Sequence, residues 1–126
     1  MTKKIIYTTN GPDPIGPYSQ AVKAGGMLFI SGQVAIKPGT GGLVTDNIQM
    51  ETQQVMNNLN AILIEAGLGF ANVIKTTIFL KDMNLFASVN EVYGNFFETD
   101  FPARETVAVK GLPKDVNVEI SMVAAE

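Results

Sequence analysis

The sequence contains no cysteine, no histidine and no tryptophan. Without cysteine there is no disulfide, no thiol nucleophile and no thiolate metal site. Without histidine, imidazole acid–base chemistry, Ser-His-Asp triads and zinc sites of the usual kind are excluded. Charge is scarce as well: 17 % of the 126 residues are charged, and the net charge is −3. With no basic run, nucleic acid is not an expected partner. No signal peptide and no apolar run of membrane length is present, so the chain is read as cytoplasmic with no membrane partner. Arginine is almost missing, since Arg104 stands alone beside eight lysines. Catalysis would have to come from carboxylates, Arg104, tyrosines, hydroxyls, lysines, backbone groups and water.

What is there suffices for one folded domain, residues 1–126. Apolar residues make up 46 % of the chain, enough for a core. A surface this short of charge implies that other subunits cover part of it.

The candidate chemistry concentrates in residues 101–119. Arg104 opens an apolar strand. A guanidinium there suits a planar anion, because its fork matches a carboxylate with two parallel hydrogen bonds. The structural alternative is an ion pair within the chain, and Glu105 is adjacent. Glu119 is the only ionisable residue in the run 116–123. Val116, Val118, Ile120 and Met122 alternate to one side of that run, which leaves Glu119 on the more polar face.

Along the chain, residues 4–8 form a short β-prone run. Asn10-Gly11-Pro12-Asp13-Pro14 is a loop, and Ile15-Gly16-Pro17-Tyr18-Ser19 continues it. Tyr18 on this proline-stiffened loop is either a ligand contact or a half-buried aromatic. Residues 20–24 and 27–33 flank Gly25-Gly26, a hairpin signal, since primed turns need positive φ. Ser31-Gly32-Gln33 ends the second strand, and Gly32 marks a bulge or a close approach to the backbone. Gly39-Thr40-Gly41-Gly42 resembles a phosphate cradle only superficially, because it lacks the lysine and the strand–loop–helix frame.

Residues 46–66 are the best helix. Ile48, Thr52, Val55, Met56, Leu59, Ile62, Leu63 and Ala66 fall on one stripe. Asp46 is expected to cap it, with Gln49 completing a box, and Gly67 to end it. Residues 73–81 read as a strand. Asn84 is the expected cap of a second helix from Leu85 to about Glu98, whose apolar face is Phe86, Val89, Tyr93, Phe96 and Phe97. Residues 105–110 and 116–123 are the last two strands.

The order is β-β-β-α-β-α-β-β, an α+β design with two helices on one face of a sheet. The other face is left bare and is expected to pack against partner subunits. If residues 111–115 were a five-residue hairpin loop, Lys110 would face Val116, and Arg104 and Glu119 would point to opposite faces. A four-residue loop or a bulge would put Thr106 opposite Glu119, near the face of Arg104. A cleft shared by two chains would also let the two residues meet.

Several segments taken together resemble the RidA (YjgF) family. They are Ile15-Gly16-Pro17-Tyr18-Ser19-Gln20, Ser31-Gly32-Gln33, Lys75-Thr76-Thr77-Ile78-Phe79-Leu80-Lys81-Asp82, Val89-Asn90-Glu91-Val92-Tyr93, Pro102-Ala103-Arg104, and Leu112-Pro113-Lys114-Asp115 with Glu119-Ile120. The resemblance runs in order along nearly the whole chain. It implies a chorismate-mutase-like fold and a homotrimer with a central barrel and clefts between subunits. It also implies hydrolysis of 2-iminoacids such as 2-iminobutanoate and 2-iminopropanoate to 2-oxoacids and ammonia, with no cofactor and no metal. By the same resemblance Arg104 grips the substrate carboxylate and Glu119 places or activates water. Tyr18, Ser31, Gly32, Phe86, Asn90 and Thr106 line the cleft, and Lys75 contributes more weakly. The alternative is a non-enzymatic trimer that binds a 2-oxoacid or related metabolite and regulates a partner. The chain departs from the family pattern just after Arg104, where a small residue and often cysteine are usual. Glu105 and Thr106 stand there, and a Glu105 turned toward Arg104 would compete with the substrate.

Overall fold

The computed structural model describes residues 2–126. Its strands are β1 (Lys4–Ile6), β2 (Ala21–Ala24), β3 (Met27–Gln33), β4 (Val73–Leu80), β5 (Ala103–Ala108) and β6 (Val118–Ala125), and its helices are α1 (Ile48–Glu65) and α2 (Phe86–Gly94). The β-β-β-α-β-α-β-β order and the α+β class are as expected. The Gly25-Gly26 hairpin is present too, with φ of 57° and 77° at its two central residues. Positive φ at both positions is the primed turn whose twist matches the flanking strands.

The caps differ from expectation. Asn47, not Asp46, caps α1: its side chain accepts from the Met50 N–H at 2.8 Å. Gly67 ends the helix as expected, with φ 76° and a 2.9 Å bond from Leu68 N–H to Leu63 C=O. Before α2 it is Asp82, not Asn84, that caps. Asp82 accepts from the Asn84 N–H at 2.8 Å and starts a short 3-10 turn, Met83–Leu85. Helix α2 stops at Gly94 rather than running to Glu98. Beyond it Phe96 and Phe97 turn inward onto Phe70, with ring centroids 5.2 and 5.5 Å apart. Aromatic burial across the layer outweighs continued helix here.

All six strands form one sheet in the order β1-β2-β3-β6-β4-β5. The last two strands are therefore not a hairpin. After α2 the chain returns as β5, parallel to β4 on its outer edge. Strand β6 enters the slot between β3 and β4, antiparallel to both. This suits its sequence: Val118, Ile120, Met122 and Ala124 are all buried, so it carries the apolar row a central strand needs. The α1 stripe of Val55, Met56, Leu59, Ile62 and Leu63 covers that row and is fully buried. Both helices lie on the same sheet face. On the other face, Phe29 is 49 % and Val107 42 % exposed, and no element among the described residues covers them.

Two polar groups inside the core were not foreseen. Glu51, in the first turn of α1, is fully buried and accepts from Asn117 N–H (2.7 Å), Asn117 Nδ2 (2.8 Å) and Val118 N–H (3.2 Å). Asn58 donates to the Val34 and Ile36 carbonyls at 3.1 and 2.9 Å. Both tie α1 to segments that end near the candidate site.

Candidate functional site

Arg104 lies on the helix side of the sheet. In the parallel ladder it is level with Thr76, whose side chain is buried under the helices. Its guanidinium carbon sits 5.7 Å from the Phe86 ring centroid and 5.1 Å from that of Tyr93. Its Nη1 donates to Asn90 Oδ1 at 2.7 Å. Residues 86, 90 and 93 fall on one face of α2 at helical spacing, so about two turns of helix supply the whole cage. Asn90, Tyr93, Gly94, Phe101, Pro102 and Arg104 line an open groove of about 490 Å³.

Glu119 lies on the other side. In the β4–β6 ladder it is level with Phe79, between Ile120 and Val118, which both point into the core. Its neighbour is Gly32. A methyl group at that glycine would come within 2.5 Å of Glu119 Oε2, so the carboxylate occupies the space where a side chain would otherwise stand. The β3–β6 register shifts between Ile30 and Gln33, which makes this close approach a bulge as well. Burial pushes the Glu119 carboxyl above the usual carboxylate range. Fewer water molecules reach this carboxylate than one on an open strand.

Tyr18, Ser31, Gly32 and Glu119, with Ile15, Val34, Ile36, Pro113 and Lys114, line a second groove of about 580 Å³. Tyr18 is half exposed and its hydroxyl accepts from Ile15 N–H at 3.1 Å, which fixes the ring on its loop. Buried Gln20 anchors that loop by accepting from Thr8 N–H (2.8 Å) and donating to the Thr8 (3.0 Å) and Pro12 (2.9 Å) carbonyls. Ser31 is committed to the Ser19 carbonyl at 2.6 Å. The turn that brings Lys114 over the groove is strained, with φ of 55° and 56° at Lys114 and Asp115. The 2.7 Å Lys81–Asp115 pair and buried Glu51, which accepts from Asn117 N–H, hold its C-terminal end.

The chain thus sorts the expected residues into two groups. Arg104, Asn90 and Phe86 meet on one sheet face. Tyr18, Ser31, Gly32 and Glu119 meet on the other, and strand β4 lies between. No loop length at 111–115 unites them, because β5 and β6 are not neighbours. Thr106 shares the face of Arg104 and is level with Ile78, not opposite Glu119. Its hydroxyl is buried with no hydrogen-bond partner among the described residues. Glu105 points away from Arg104. It pairs with Lys75 at 3.1 Å and accepts from the Thr77 hydroxyl, and these contacts, the Thr77 bond first, hold its carboxyl below the usual range. It leaves Arg104 free, and Lys75 is engaged on the uncovered face. Tyr93, Phe101 and Lys114 line the grooves without having been singled out. Tyr93 was legible only as core, although its spacing from Phe86 and Asn90 marks the same helix face.

Two helices on one side of a mixed six-stranded sheet define an α+β chain, with Arg104 lining one groove and Glu119 another. The family model described as Endoribonuclease L-PSP matches residues 8–126, and the chain belongs to that family, which is the RidA/YjgF family. A RutC family protein of Pyrococcus horikoshii is 53 % identical, with 97 % of each chain covered. The mouse 2-iminobutanoate/2-iminopropanoate deaminase is 45 % identical over all of this chain and 93 % of its own length. The crystal structure of Escherichia coli TdcF with bound serine superposes with a TM-score of 0.93 at 42 % identity, covering 98 % of both chains.

Proposed function

We propose that the chain is a cytoplasmic homotrimeric 2-iminoacid deaminase whose sites are shared between subunits. The observation that carries this reading is the split of the site. One chain presents an arginine cage on one face and a desolvated carboxylate groove on the other, and neither holds both groups. Docking the uncovered sheet face of one copy against others would bring the two half-sites of different copies together. The name of the mouse relative supports the substrate class.

The chemistry asks little of the protein. An imine carbon is already electrophilic, so orientation and a placed water suffice. Arg104 would hold the substrate carboxylate through the N–H groups that Asn90 does not use. Starting from the protonated imine, Glu119 would take a proton from water as its oxygen bonds to the imine carbon, giving a neutral carbinolamine. The same carboxyl would then give that proton to the amino nitrogen, and as the C–N bond breaks the carbinol O–H proton would pass back to the Glu119 carboxylate, releasing ammonia and the 2-oxoacid. A carboxyl whose pKa is raised by burial is better matched to both halves of this exchange. The family description names a ribonuclease. A net charge of −3 and the absence of histidine argue against phosphodiester cleavage here.

A mixing experiment tests the shared site. Arg104→Ala and Glu119→Gln each abolish depletion of 2-iminobutanoate, generated in situ and trapped with semicarbazide. Unfolded and reassembled together, they regain about a quarter of wild-type activity, because one interface in four carries both intact residues under random mixing. No regain from two soluble, co-assembled variants rejects the shared site, and an inactive wild type rejects the deaminase. Serine bound to TdcF favours a second reading, in which the same cleft only binds a small carboxylate metabolite. Under that reading Glu119→Gln keeps full affinity for 2-oxobutanoate and the wild type turns nothing over.

A further inference from the structure

Tyr93 is only 4 % exposed, in a place where phenylalanine would satisfy the core. Its phenol nevertheless has a dedicated partner: it donates to Thr76 Oγ1 at 3.0 Å. Thr76 is fully buried on β4 and is the register partner of Arg104 on β5. The same tyrosine turns its ring to the guanidinium at 5.1 Å, while Phe86 stands at 5.7 Å and Asn90 takes Nη1. One end of Tyr93 is thus fastened beneath the arginine and its face is set against it.

We propose that Tyr93, anchored by Thr76, is the positioning residue that fixes the plane of Arg104 for carboxylate binding. The inference rests on the reading of Arg104 as the carboxylate holder. An arginine on an edge strand has many rotamers, and a ligand that must gather them binds more weakly than one that meets a fixed fork. The stacked ring removes rotations out of plane, and Asn90 removes rotation in plane. Together they leave the donors that Asn90 does not use as the presented edge. The Tyr93 hydroxyl stays protonated through neutral pH, since burial pushes it above the usual phenol range, and so remains a donor to Thr76.

Because Arg104 is the only arginine, its side-chain Nε–Hε pair gives a single signal in a nitrogen–proton correlation spectrum. That signal reports ring stacking and order directly, which overall stability does not. It is compared in wild type, Tyr93→Leu, Tyr93→Phe and Thr76→Val, together with 2-oxobutanoate affinity and imine turnover. Tyr93→Leu is expected to move the signal to the position of free arginine. It should raise the Kd for 2-oxobutanoate and the KM for 2-iminobutanoate about tenfold, with kcat changed less than about threefold. Tyr93→Phe and Thr76→Val keep the ring but release its anchor, and each should give an intermediate shift and about a threefold weaker Kd. A folded Tyr93→Leu protein with an unchanged signal and Kd overturns the proposal. If that variant does not fold, an unchanged signal and Kd in both Tyr93→Phe and Thr76→Val overturn it instead. A wild type that binds 2-oxobutanoate without turning over imine rejects the deaminase alone, and the signal and Kd still decide the role of Tyr93. A wild type that binds no 2-oxobutanoate overturns the proposal together with the role of Arg104.

Discussion

Glu119 and Gly32 act as one unit. Burial raises the Glu119 carboxyl in the folded state, so the folded chain binds that proton more tightly than the unfolded chain does. The stability it contributes is complete below the unfolded pKa, about 4, and is lost as pH rises through the folded value. Glu119→Gln removes this pH-dependent loss. Thermal melts should show the variant gaining on the wild type as pH rises above about 4, while imine turnover is lost. The acid limb of kcat/KM in the wild type should fall at higher pH than an ordinary carboxylate would give. Gly32→Ala tests the same contact from the other side. A Cβ 2.5 Å from Glu119 Oε2 would swing a flexible side chain away rather than break the sheet. Turnover should drop roughly tenfold or more while Tm stays near the wild-type value, within the usual ±0.5 kcal/mol of a mild substitution. The need for glycine at position 32 was legible in the sequence, but what approaches it was not. The approaching atoms belong to a residue 87 positions later in the chain, since 119 − 32 = 87.

At the scale of elements, the periodicities served well. The α1 stripe, the β6 alternation and the glycine hairpin all follow from repeats of 3.6 and 2 residues. Caps were less legible, because the neighbours Asp46 and Asn47 compete for one role and only backbone geometry chooses between them. The buried Glu51 was outside any pattern: a carboxylate within a helix reads as solvent-facing until the strand whose N–H groups it accepts from is in place. Its removal leaves Asn117 and Val118 N–H donors without that acceptor. Glu51→Ala should therefore cost roughly 2–4 kcal/mol, read as a lower urea midpoint with unchanged slope. Because Asn117 is two residues from Glu119, imine turnover should fall as well. A variant as stable as wild type would show that the buried carboxylate holds nothing.

At the scale of the whole molecule, the uncovered sheet face is the feature that asks for a partner. It carries Phe29 at its centre, beside Val123 in the β3–β6 ladder. Phe29→Asp puts a charge where copies would meet, and charge at an interface core is costly to desolvate. Size-exclusion chromatography should show the variant as a monomer at low micromolar concentration, with a native far-ultraviolet spectrum and no imine turnover. A Phe29→Asp protein that stays the size of the wild type would place the contact between copies elsewhere.

The sequence by itself determined the element order, the α+β class, the core stripe and the residue types able to do chemistry without histidine or cysteine. These depend on local spacing and on composition, which a single chain displays along its length. The tertiary structure alone decided that β6 slips between β3 and β4 while β5 lies outside them. That choice is a pairing among distant strands, set by which strand is paired along both edges, and nothing local encodes it. It is also what parts Arg104 from Glu119. Side-chain alternation could say which face each residue takes on its own strand, but only the pairing order says that β4 stands between them.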